Sequence, residues 1–217
     1  MKKIIFLVAA VSLLAAGCAS MNKQQKGTIA GASGGALIGA AVSGGSIWGV
    51  LIGAAIGGTA GNLIGKKMDK QAKELKQAVP TAEVQRVGEG INVTFNSGLM
   101  FKINSAEISD SYKDDLAAAA GVFKNNPETN ILVEGHTDDT GSDELNMNLS
   151  QKRAETVSAF LQSNGVAASR LQTKWYGETQ PKFANDSEEN RQKNRRVELA
   201  VYANEDMKGK AKEGKLE

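Results

Sequence analysis

One cysteine and one histidine occur among the 217 residues, with three prolines and two tryptophans. A single cysteine excludes an internal disulfide framework and a thiolate zinc cage, and a single histidine argues against multi-histidine metal sites. No metal and no cofactor is expected. Net charge is also small: 26 Lys and Arg against 24 Asp and Glu give +2, and loss of Lys2 and Lys3 with a leader would leave 24 against 24. A neutral chain has no electrostatic footprint for nucleic acid. The most telling scarcity is local. From Gly27 to Gly65 there is no Asp, Glu, Lys or Arg, while 13 of the 24 glycines fall there. Nearly all the charge sits in the remainder, so the chain is at least bipartite.

Residues 1–17 have the organisation of a processing signal. Met1-Lys2-Lys3 is a basic start, Ile4 to Leu14 an apolar run, and Ala15-Ala16-Gly17 a small-residue cleavage site before Cys18. The run is too short to span a membrane as a mature helix. Because the sole cysteine follows the small residues directly, the segment resembles a bacterial lipoprotein signal. That resemblance implies cleavage before Cys18 and a diacylglyceryl group on its sulfur. Ala19, where Asp would resemble inner-membrane retention, points to the outer membrane. Residues 18–26 then form a lipidated tether, anchored by about 0.8 kcal/mol per buried methylene.

In the uncharged segment the glycines recur at 27, 31, 35 and 39, then at 45, 49, 53, 57, 61 and 65, always four apart. Val42 to Ser46 has turn composition, so residues 27–65 read as a helical hairpin with arms near 27–41 and 47–65. Each glycine costs about 1 kcal/mol of helix propensity relative to alanine, so these helices need close backbone packing. Small residues four apart permit it, in a bilayer or in a homo-oligomer. The second arm is about 28 Å long and the first about 22 Å, so spanning is plausible for one and marginal for the other. Residues 66–80, charged and ending at Pro80, read as a solvated helical spacer. Two passes would leave the following domain on the side of the lipid, in the periplasm.

Residues 81–203 alternate in period. Strands are expected at 82–87, 91–95, 130–134, 170–176 and 196–202, with helices at 109–125 and 145–164. Such alternation argues an α/β (α+β) domain, a mixed sheet with helices on one face. The charged tail 204–217 is expected to fray. In helix 145–164, Leu145, Leu149, Val157, Phe160 and Leu161 share one half, yet Arg153 lies near the centre of that half. An inward guanidinium needs a partner, and Asp138, in the polar turn before the helix, is the expected one.

The residues Gly135-His136-Thr137-Asp138, Gly141, Asn146, Leu149-Ser150, Arg153-Ala154 and Val157, then Gly177, Pro181, Asn185 and Arg191 to Glu198, resemble the OmpA-like C-terminal peptidoglycan-binding domain. The likeness covers about 91–202. With the lipid signal and the glycine ladders, the whole chain is similar to OmpA-family outer-membrane lipoproteins of the glycine-zipper type. The resemblance implies recognition of diaminopimelate in the peptidoglycan stem peptide, with Asp138 on the ligand's ammonium and Arg153 on its carboxylate. Asn146 and Arg195 would support or contact the same group. Independently of the resemblance, Thr137 and Asp139 could add backbone N–H or hydroxyl contacts from the turn. The chemistry is consistent, since an Asp and a forked guanidinium offer the charges reciprocal to an amino-acid head.

Alternatives stand beside these readings. Asp138 and Arg153 could form a buried ion pair that only ties turn to helix, and either Arg195 or Arg196 could face the ligand. His136 is expected to orient the turn. Asn104 stands where the family often has an acid, which leaves open whether 101–106 joins the site. A hydrolytic set of His136, Asp138, Asp139 and Glu144 would make an enzyme, but without an activated Ser or Cys or a second ligand cluster no catalysis is expected. The leading expectation is a lipid-anchored outer-membrane protein that binds peptidoglycan and tethers the membrane to the wall. The competing one is a glycine-zipper oligomer or pore-like assembly that wall binding merely positions.

Overall fold

A computed structural model describes residues 58–102 and 104–216. The signal segment, Cys18 and most of the glycine hairpin lie outside the described residues. The elements are α1 (Gly58–Ala78), β1 (Glu83–Val87), β2 (Gly90–Asn96), α2 (Ser97–Met100), α3 (Asp110–Asn125), β3 (Thr129–His136), α4 (Asp143–Ser163), β4 (Leu171–Trp175), α5 (Glu188–Asn194), β5 (Arg196–Ala203) and α6 (Glu205–Lys212).

The five strands form one mixed sheet in the order β1-β2-β5-β3-β4. All pairings are antiparallel except β3 with β4, which α4 joins as a crossover. Alternation along the strands decides what packs where. Ile91, Val93 and Phe95 of β2, Ile131 and Val133 of β3, and Val197, Leu199 and Val201 of β5 form one apolar cluster with α1, α3, α4 and α6. The opposite face carries a small apolar pair, Leu132 and Ala200, and the buried polar residues Asn92, Glu134, Arg196 and Glu198. The expected sheet with helices on one face is the fold.

Local signals place the helix ends. Ser142 caps α4, its hydroxyl accepting from Leu145 N at 3.3 Å. Gly165, at φ +93°, terminates the chain's path out of α4.

Two expectations change at the edges of the domain. The helix expected to end at 65 and give way to a solvated spacer is one continuous α1, and it packs on α3, α6 and β1. Ala60, Ile64, Met68, Ala72 and Leu75 make a buried stripe at three- and four-residue spacing, hidden in the sequence among lysines. Gly61, a rung of the second ladder, faces the Glu89 side chain of this same domain. The tail also folds: Asn204 caps α6 by accepting from Met207 N at 2.9 Å, and Met207, Ala211 and Leu216 are buried. No helix among the described residues is long and apolar enough to cross a membrane.

Leu75 is fully buried, so Leu75→Ala is expected to lower the stability of the whole domain by about 2–5 kcal/mol. Urea denaturation of the full chain measures it. A change near zero would mean that α1 is the detached spacer after all.

Candidate ligand-binding site

The site is built where β3 runs into α4. Gly135 lets β3 approach that helix: a Cβ there would meet Ser150 O at 2.1 Å. Ser150, buried, ties the junction together, accepting from Gly177 N at 2.9 Å and donating to Met147 O at 2.8 Å. Beyond the strand, Thr137 N donates to Gly177 O at 2.9 Å. Asp138 Oδ1 accepts from Thr140 N at 3.0 Å, closing the turn. Asn146, in the first turns of α4, donates to the Asp138 carbonyl at 3.2 Å and to Glu178 Oε2 at 2.6 Å. The turn is thus fixed from both sides before any ligand is considered.

These residues surround a cavity of about 430 Å³. Thr137, Asp138, Asn146, Arg153 and Arg195, the five residues singled out from the sequence, all line it. Their pairing differs from the expected one. Asp138 is 4% exposed, and its Oδ2 accepts from Arg195 Nη1; Arg195 Nη2 donates to Glu188 Oε1 at 2.6 Å. Arg195 therefore lies between two carboxylates. Burial works against its charge, and the bonds to Glu188 and Asp138 outweigh it, raising its pKa.

Arg153 is not the ion-pair partner of Asp138. It is 4% exposed, donates to Ser105 O at 3.1 Å and to Ser97 Oγ at 3.4 Å, and lies 5.1 Å over the Phe101 ring. All of these partners are neutral, and among the described residues no carboxylate lies within 4.0 Å of its guanidinium. Burial, followed by repulsion from Arg195, lowers its pKa to about 10 against the weaker pull of Asp138. The cavity thus presents a buried guanidinium with no counter-anion and, beside it, a buried carboxylate. The Thr137 hydroxyl is buried with no hydrogen-bond partner among the described residues.

Of residues 195 and 196, Arg195 lines the cavity and Arg196 does not. Arg196 sits on the opposite sheet face, donating to Glu198 Oε1 at 2.6 Å and to Gln180 O at 3.2 Å. The segment around Asn104 does join the cavity wall. Asn104 and Phe101 both line it, and Asn104 holds φ +54°, a left-handed conformation that Asn tolerates better than most residues other than glycine. Asp139, expected to add contacts, instead pairs with Arg191 at 2.9 Å. Glu188 and Gln192 also line the cavity, from a polar stretch whose sequence does not announce a helix. The signal was Ser187 before Glu188 and Glu189, a cap with an acidic first turn but no apolar stripe to flag a helix.

The hydrolytic set is dispersed. Asp138 lines the cavity, Asp139 is held by Arg191, and Glu144 is exposed on α4. His136 is on the polar face of the sheet, stacked on Tyr176 with ring centroids 5.3 Å apart and 3.8 Å from Glu134 Oε2. Among the described residues no group of three His, Cys, Asp or Glu could hold a metal ion. Burial, with the charges of Arg196 and Lys182, drives the His136 pKa well below 6.5. The unfolded chain therefore takes up a proton that the native one refuses, and stability falls as pH drops below about 6.5, by up to about 1.4 kcal/mol per pH unit. Denaturation midpoints between pH 7 and 5 are expected to show this slope, and His136→Phe to lose it.

Residues 100–195, which hold all five cavity residues named from the sequence, match the model of the OmpA family, and residues 1–69 match that of the YMGG-like Gly-zipper. Over 216 residues the chain is 35% identical to the probable lipoprotein YiaD of Escherichia coli (strain K12), covering 93% of this chain and 99% of that one. The chain belongs to the OmpA family. Within it, the peptidoglycan-associated lipoprotein of Buchnera aphidicola subsp. Baizongia pistaciae is 34% identical over 98 residues, 45% of this chain and 57% of that one. Among solved structures, the cell wall anchor of the T6SS from Pseudomonas aeruginosa superposes with a TM-score of 0.55 at 27% identity, over 63% of this chain and 97% of that chain. The zipper match ends at residue 69, inside α1, and the OmpA match begins at residue 100, so α1 precedes the OmpA match in sequence while packing on the domain that contains it.

Proposed function

We propose that this OmpA-family chain is an outer-membrane lipoprotein, anchored through Cys18, that binds peptidoglycan noncovalently and tethers the membrane to the wall. The ligand group is the free amino-acid end of diaminopimelate in the stem peptide. One observation carries the assignment: Arg153 is a buried guanidinium with no carboxylate partner among the described residues, in the same cavity as the buried Asp138. A zwitterionic amino-acid head would bring a carboxylate to the Arg153 fork and an ammonium to Asp138, whose one cationic partner, Arg195, is shared with Glu188. Thr137 Oγ1 has unused capacity for the same head. Arg195, shared by Asp138 and Glu188, would hold the Asp138 carboxylate toward the ligand. The names of the relatives, a peptidoglycan-associated lipoprotein and a cell wall anchor, agree with this reading. The role is binding, with no covalent step on the polymer.

Sedimentation of the full chain with purified diaminopimelate-type peptidoglycan tests the proposal. The chain is expected to pellet with the polymer, and free diaminopimelate to release it. Asp138→Asn keeps the shape but removes the charge, and is expected to weaken binding by about 30-fold or more. Undiminished binding by that variant would remove Asp138 from the site.

A further inference from the structure

The face of α1 that points away from the domain is lined with lysine. Ile64, Met68, Gln71 and Leu75 are buried against the domain. At about 100° per residue, Lys66, Lys70 and Lys73 fall on a single line on the opposite side, with Lys67 and Lys76 flanking it. Lys66, Lys70, Lys73 and Lys76 are exposed. Among the described residues none of the five has a carboxylate partner. The two acids of the helix are both engaged elsewhere. Asp69 pairs with Arg86 at 2.7 Å, and Glu74 accepts from Asn126 at 2.9 Å. The result is an uncompensated basic stripe about three turns long on a rigid, domain-packed helix.

Its place in the chain argues for its partner. Lys66 is the first charge after the uncharged run from Gly27 to Gly65, and Cys18 precedes that run. We propose that this lysine face docks on anionic phospholipid headgroups of the membrane that holds the anchor, so that α1 lies along the bilayer surface. The inference rests on the anchoring reading above. Because the apolar face of α1 is buried in the domain and no described helix can cross a membrane, the docking is electrostatic and peripheral. Lysine suits it, being a compact, well-hydrated charge that attracts headgroups without leaving water. Each lysine near an anionic leaflet contributes about a fivefold factor, and salt screens it.

Gln77, exposed on the same line, provides the probe position. With Cys18 acylated, Gln77→Cys is the sole thiol and accepts a donor fluorophore. The labelled full chain is reconstituted in vesicles of phosphatidylcholine alone or mixed with phosphatidylglycerol, each carrying a headgroup-labelled acceptor. Energy transfer is expected to be strong only with phosphatidylglycerol and to collapse in high salt. Lys66→Glu, Lys70→Glu and Lys73→Glu together are expected to reduce the docked population on the order of 100-fold, with thermal unfolding unchanged. Transfer indifferent to lipid charge, salt and the three substitutions would overturn the proposal. So would salt-sensitive, lysine-dependent sedimentation with purified wall polymer in the absence of transfer to lipid, which would assign the stripe to the wall. Flotation on phosphatidylcholine vesicles, read in the same samples, reports the anchor separately. Its loss with charge-dependent transfer retained would overturn the anchor and leave the docking in place.

Discussion

Arg153→Met is expected to abolish measurable binding to diaminopimelate-type peptidoglycan while leaving the fold as stable as before. The two halves of this result come from one fact. Arg153 is buried, its hydrogen bonds go to a backbone carbonyl and a serine hydroxyl, and among the described residues no carboxylate pairs with it. Burial lowers its pKa to about 10 from 12.5, so the native state holds this proton less tightly than the unfolded chain. The sign follows: at every pH below about 10 the charge works against folding, and that penalty fades as pH rises from there toward 12.5. Replacing such a group with a flexible apolar side chain of similar length is often neutral or stabilising. The stability change is expected within about 1.5 kcal/mol, since Ser105 O is left to water and Phe101 keeps an apolar neighbour. Binding behaves oppositely. A ligand carboxylate brought into the cavity would lose the unpaired cation that Arg153 offers, at about 2–5 kcal/mol or roughly 30- to several thousand-fold in affinity. Arg153→Lys keeps the charge without the fork and is expected to fall between. Sedimentation with peptidoglycan and urea denaturation of the same preparations measure both halves. A variant that binds as well as the parent would show Arg153 to be a packing residue only.

Gly135→Ala is expected to be the most damaging single methyl in the domain. Its Cβ would lie 2.1 Å from Ser150 O and 2.9 Å from Ser150 C, both backbone atoms. No rotamer change relieves that contact; β3 and α4 must separate by about an ångström. The separation would break the link from Ser150 to Gly177 and pull the Asp138 turn away from Arg153. A loss of about 3 kcal/mol is expected, at the upper end for overpacking, together with loss of peptidoglycan binding. Thermal unfolding measures the first effect. Ser150→Gly in the same chain is expected not to rescue it, because the clash is with the main chain; rescue would place the strain in the serine hydroxyl instead.

The interior of the domain was legible because its period is regular. Strands and helices fall within a few residues of their expected limits, and the inward position of Arg153 on α4 was readable from helical spacing alone. Its partner was not. Asp138 lies in the turn between β3 and α4 and was the expected partner, but Arg195, 57 residues further on, reaches it because β5 lies beside β3 in the sheet. Spacing along one helix says nothing about which strand will be its neighbour. The edges failed for a different reason. In α1 the apolar stripe is diluted by lysine and glycine, so composition pointed to a spacer while the packing needed only one residue in three or four. A fragment beginning at residue 80 would therefore lack Ile64, Met68 and Leu75 of the core. Arg195 and Arg196 could not be told apart by composition, because their difference is one of placement: Arg195 closes α5, whereas Arg196 opens β5.

The most direct test of the central claim uses two walls that differ at one carbon. Lysine in place of diaminopimelate keeps the side-chain amine and lacks the carboxylate that Arg153 is proposed to bind. Side-by-side sedimentation of the full chain with diaminopimelate-type and lysine-type peptidoglycan is expected to show a preference of about 30-fold or more for the first, erased in Arg153→Met. Equal binding to the two walls would contradict the account.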